Sequence, residues 1–303
     1  ILISSSCSQE NTKEKAETKS KINSTKIHSK IMEINCDLVD IMSQTDLVPY
    51  YETQIKERKE KEKQKKQEKS AAKEGGNQEG NQSSGGGMEG ESQDEFKPKP
   101  ITINNVLLSK ILEQEKTYQT EQAKERKIPD DIVTIWHEIN TNIGELHEKW
   151  DDLQPELKKN NISKKTISDF DKTLNNLTKA STNHKHMETL LQANQLTSYL
   201  PNYIEKTKNK TLASTYQLKY YVRQLVLDTA NNKDTKEVIN KIMELEDSIS
   251  TKLQEKEEDT LAEKIQSSVD NLINSTENIN VLKIKASIVV NNMNSAREKL
   301  LMK

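Results

Sequence analysis

Between Ile132 and Leu157 the apolar residues fall at Ile132, Trp136, Ile139, Ile143, Leu146, Trp150, Leu153 and Leu157, in alternating steps of four and three. A helix turns once in about 3.6 residues, so this spacing draws one narrow stripe along one side of a rod. Both tryptophans of the chain sit on the stripe and no charged residue does. A rod with such a seam buries it against other rods.

The same rule recurs along the chain. It places stripes at Ile27, Ile31, Ile34, Leu38 and Ile41, and at Ile167, Phe170, Leu174 and Leu177. Further stripes follow from Met187 to Leu200, Leu212 to Val226, Val238 to Leu253, Leu261 to Leu272, and Leu282 to Leu300. No stretch alternates with period two, so no sheet is expected. Short polar connections imply antiparallel neighbours. The expected fold is all-α: an antiparallel helical bundle with coiled-coil-like seams, preceded by a short amphipathic helix and a disordered linker. Hydrophobic residues at 32% and charged residues at 31% suit narrow stripes rather than a thick buried sheet. The 46 basic and 48 acidic residues are interleaved, which leaves no basic surplus for nucleic acid.

Composition marks the boundaries. A polar tether at 8–20 leads into the stripe that begins at Ile27, and Pro49 stops that helix. From Ile55 to Lys69 the chain is almost all Lys, Glu, Arg and Gln, a solvated helix held by opposite charges four residues apart. Residues 21–72 are thus an amphipathic and then a charged helix. Seven of the eight glycines lie between Gly75 and Gly90, so 73–100 reads as a disordered linker. The bundle occupies 101–303. Within it 130–207 and 235–303 show a weak likeness that suggests duplication. Ile128-Pro129-Asp130-Asp131 starts the seam helix, Pro155 kinks or restarts it, and Thr166 with Asp169 forms a capping box for the next.

The chain opens Ile1-Leu2-Ile3-Ser4-Ser5-Ser6-Cys7, followed by a polar run. An apolar stub, small residues and a cysteine resemble the processing site of bacterial membrane lipoproteins. Ser4 stands where that family favours Leu. The resemblance makes 1–20 a signal-peptide remnant, lipidation site and tether, with Cys7 carrying covalent lipid and Ser6 preceding the cut. It implies anchoring to the bacterial cell membrane on the extracytoplasmic side, by acyl chains whose methylenes each contribute roughly 0.8 kcal/mol. The layout is similar to that of helical lipoproteins of low-GC Gram-positive bacteria, a likeness that conveys no activity. Its partner would be an unknown protein or ligand.

Candidate chemistry is sparse. If residues 130–200 fold as a hairpin about Asn161, His137 comes opposite His184 and His186, with Met187 and Glu188 adjacent. Those residue types suit copper or another borderline metal. Against a metal site, His137 follows seam residue Trp136 and points away from the partner helix, and His184 and His186 cannot share one helix face. Met187 is expected to pack on an aromatic such as Trp136. Tyr216, Tyr220 and Tyr221 with Lys219 and Arg223 place aromatic and basic groups on one helix, a partner surface if exposed and a core with edge hydroxyls if not. No GxSxG, HExxH or CxxC motif occurs, and residues 91–303 hold one glycine. The expectation is a non-enzymatic binding or scaffold module without a cofactor. The alternatives are an intracellular, cytoplasmic coiled-coil adaptor and a metal-binding bundle.

Overall fold

The structure, a computed structural model, describes residues 8–74, 96–116, 128–207 and 210–301. Cys7 and most of the glycine-rich stretch lie outside the described residues. Among those described the protein is all helix, with no strand. The helices are α1 (Ser8–Asp46), α2 (Val48–Glu74), α3 (Ser109–Lys116), α4 (Ile132–Lys159), α5 (Lys164–Thr182), α6 (His186–Thr197), α7 (Leu200–Thr207), α8 (Lys210–Ala230), α9 (Lys236–Gln254), α10 (Asp259–Ile273) and α11 (Ile279–Leu301). Among the described residues none is long and apolar enough to cross a membrane.

The seam from Trp136 to Leu157 is buried on α4, and Trp136 and Trp150 both enter one continuous core. Trp150 stacks on Phe170 of α5 at 3.8 Å between ring centres, and its Nε1 donates to Asp171. Helices α4, α5 and α6 pack in sequence, as do α8, α9, α10 and α11. Helix α8 joins these sets directly through α6, and α3 and α7 bridge α1 to α11 and α8. Helix α1 lies against α3, α4, α6 and α7, and α8 lies against α6, α7, α9 and α11.

The amino-terminal region differs from the expectation. Helix α1 begins at Ser8, so the residues read as a tether are helical. Nor does the amphipathic helix merely precede the bundle. Ile27, Ile31, Ile34, Leu38 and Ile41 are fully buried in the common core, because a four-three stripe can be covered only by other helices. Lys149 of α4 pairs with Asp37 of α1 at 2.7 Å. Pro49 sits in the first turn of α2, where its missing N–H costs nothing. The carboxy-terminal end of the presumed linker is fastened to α2: Lys99 N donates to Gln54 Oε1 at 2.8 Å and the Tyr50 hydroxyl donates to Lys99 O at 2.5 Å.

Other local expectations shift by a few residues. Ser163, not Thr166, caps α5, its Oγ accepting from Thr166 N at 3.0 Å. Helix α4 runs through Pro155 without restarting, since Leu153 and Leu157 hold both sides of the proline in the core. The stripe from Met187 to Leu200 breaks after Thr197, and Pro201 lies in the first turn of α7.

Four helix ends use residues other than glycine in the left-handed conformation: Asn161, His184, Asn232 and Glu257, with φ of 59°, 54°, 54° and 61°. In each case the next N–H reaches back five residues: Ile162 to Leu157, Lys185 to Ala180, Lys233 to Asp228, and Glu258 to Leu253. This is the Schellman closure, which satisfies the last carbonyls of a helix.

Candidate functional site

The histidine corner lies where α5 turns into α6. The His184 ring stacks on Trp136 at 5.0 Å and 11°, so the hairpin does bring these parts of the chain together. His137 is exposed on the next position of α4. Met187 packs on the edge of the core. His186 is half-buried, with Nε2 shielded from water and without a hydrogen-bond partner among the described residues. Burial lowers its pKa, opposed by the charge of Asp46. Among the described residues no three His, Cys, Asp or Glu side chains are grouped to hold a metal ion.

The proposed partner surface is corrected by the structure. Tyr216, Tyr220 and Arg223 are only 6%, 9% and 1% exposed. Helix α8 is enclosed on nearly every side, which leaves these side chains no free face. They belong instead to a buried polar cluster. Arg223 forms an ion pair with Glu115 of α3, and its Nε and Nη2 donate to Asn194 Oδ1 and Thr197 Oγ1, both at 2.8 Å. Removing one partner of such a pair strands a buried charge and costs about 3–5 kcal/mol.

One helical turn before Arg223, Lys219 is also buried. Its Nζ donates to Asn294 Oδ1 at 2.5 Å, and the Asn294 amide in turn donates to Gln114 O at 2.6 Å. The ammonium lies 5.6 Å from the centre of the Tyr216 ring, and the Arg297 guanidinium 6.0 Å from it. Arg297 donates to the Tyr216 hydroxyl at 3.0 Å, and that hydroxyl donates to Met32 Sδ at 2.9 Å. Burial pulls the Lys219 pKa down to about 8; Glu115 opposes the shift, while Arg297 and Arg223 add to it. Burial also pushes the Tyr216 hydroxyl up, with Arg297 opposing.

These groups border a cavity of about 480 Å³ between α1, α8 and α11, closed at one side by Glu115 of α3. Its volume lies within the roughly 300–1,000 Å³ of small-molecule pockets. The α1 wall presents Met32, Asn35, Cys36 and Val39, whose spacing keeps them on one side of the helix. Burial raises the Cys36 thiol pKa, and Asp40, Asp37 and Glu115 add to that. Cys36, Glu115 and Arg297 are functional candidates that the motif reading missed, and Lys219 is grouped there only with the tyrosines and Arg223 of its helix. A signal was present: Leu212, Thr215, Lys219, Val222 and Val226 step three, four, three, four, which puts a lysine on a core stripe.

Chemically, the arrangement sets Lys219 and Arg297 among Glu115, Asp40 and Glu298 around a partly apolar hollow, with the buried lysine at its inner end. Comparisons with known protein families, with characterised proteins and with solved structures return no match to this chain.

Proposed function

We propose that this protein is a membrane-anchored, extracytoplasmic helical lipoprotein that works by binding, without catalysis. The observation that carries the reading is the Ser4-Ser5-Ser6-Cys7 stretch, which ends one residue before α1 begins at Ser8. A lipid on Cys7 would therefore be joined to the bundle by a single helix that ends in the core. The many interleaved surface charges keep such a body soluble outside the bilayer while acyl chains hold it there.

The test is metabolic labelling of cells with a clickable palmitate analogue. Wild-type protein should take up label and partition into detergent, and the Cys7→Ser variant should do neither. Label on both proteins, or on neither, overturns the anchor and favours an intracellular adaptor.

A further inference from the structure

We propose that the cavity between α1, α8 and α11 binds a small amphipathic carboxylate, its head held by Lys219 and Arg297 and its hydrocarbon part lying against Met32, Val39, Leu212 and Leu301. This inference stands on the cavity alone and holds whether or not Cys7 carries lipid.

The first support is charge. Two cations line the cavity, Lys219 at its buried end and half-buried Arg297, and the nearby carboxylate of Glu115 is already paired with Arg223. Asp40, half-buried like Arg297, and exposed Glu298 also line the cavity, both more open to solvent than Lys219. The buried end at Lys219 therefore favours one negative charge, and Asp40 and Glu298 disfavour a second. A single negative head with an uncharged tail fits that gradient, whereas a polyanion does not.

The second support is hydrogen bonding. An ammonium has three protons to donate. Among the described residues the Lys219 Nζ has one acceptor, Asn294 Oδ1, and beyond it the face of Tyr216. A carboxylate oxygen would supply a second acceptor and restore the counter-charge that burial withholds. The third is the wall. Met32, Val39, Leu212 and Leu301 give the hollow an apolar lining, and a methionine side chain adapts to chains of differing shape.

The probe is dodecanoate, titrated calorimetrically into the full chain below its micellar concentration. Dodecanol and dodecyltrimethylammonium serve as controls with the same tail. Saturable dodecanoate binding at least ten-fold tighter than either control is expected. Lys219→Met and Arg297→Gln should each weaken it ten-fold or more, with helical dichroism unchanged; Arg297→Gln, nearer the surface, guards against a misfolded lysine variant. Bound dodecanoate should also slow alkylation of Cys36, read by mass spectrometry of the peptide that contains it. Asn35→Trp, at the cavity wall, should block both effects. Equal affinity for dodecanol, no saturable binding, unaltered affinity in both charge variants, or undiminished Cys36 alkylation in the bound protein would each overturn the proposal.

Discussion

Asp46 closes α1 and opens α3 by way of Ser109. One carboxylate oxygen of Asp46 accepts from both the backbone N–H and the hydroxyl of Ser109, each at 2.7 Å. The same carboxylate takes the N–H groups of Leu107 and Leu108 at 2.8 Å. The amino end of α3 is thus capped by a residue more than sixty positions earlier in the chain, where a negative charge also meets the helix dipole. Asp46→Ala would leave four donors unanswered in a buried place. It should lower unfolding stability by about 2–4 kcal/mol, measured by urea denaturation, with Asp46→Asn falling between. A loss within experimental error for Asp46→Ala would refute the cap.

Glu257 sits in the left-handed region at φ 61°, a conformation costing an L residue about 1–2 kcal/mol. Glycine takes it freely but loses more entropy on folding. Glu257→Gly should therefore raise stability by up to about 1 kcal/mol, seen as a higher melting temperature. His184 shares this backbone geometry, yet its ring lies on Trp136. His184→Gly should gain nothing, because the lost stacking offsets the relieved strain. Equal gains at the two sites would mean that the stacking contributes no stability.

Lys219 gives a signed response to alkali. Its pKa is about 8 when folded, against an ordinary 10.5. Between those values the unfolded chain holds a proton that the folded one lacks, so stability rises with pH across that window. Lys219→Met removes the effect. Relative to that variant, wild type should gain up to about 3 kcal/mol from pH 7.5 to 10 in denaturant titrations. Buried Tyr216 and Tyr220, whose pKa values are raised, act in the opposite sense at higher pH and equally in both proteins. Parallel curves for the two proteins would refute the assignment.

His186 gives the acid counterpart. Its folded pKa lies below the ordinary 6.5, because burial penalises the charged ring. The unfolded chain then holds more protons just below that value, and stability is lost as pH falls through it. Since Nε2 has no hydrogen-bond partner among the described residues, His186→Met should fold normally and lose less stability between pH 7 and 5. Should the variant track wild type through that range, His186 is not the sensor.

The rods themselves were legible in the chain because helix packing imposes a period that side chains reveal one by one. The stripe from Trp136 to Leu157 is buried as its spacing required. What periodicity could not convey was which rods touch. Ile27 to Ile41 form the same kind of stripe as the others, and nothing in it says whether the cover comes from a neighbour or from a helix a hundred residues away. The polar cluster was obscured for a related reason. Tyr216, Tyr220 and Arg223 look like a surface by residue type, and only the enclosure of α8 makes them interior. The candidate cavity draws on Met32, Glu115, Lys219 and Arg297, which stand on four different helices, so no local motif could announce it.

The place of α1 at the centre has a consequence for biosynthesis. Helix α1 leaves the ribosome before α3, α4, α6 and α7, the helices that later enclose it. At about 5–20 residues per second its greasy edge waits on the order of tens of seconds for those companions. Closure must then proceed through contacts between distant parts of the chain, which slows folding. During that interval the uncovered stripe of α1 is the part of the nascent polypeptide most open to non-native contacts.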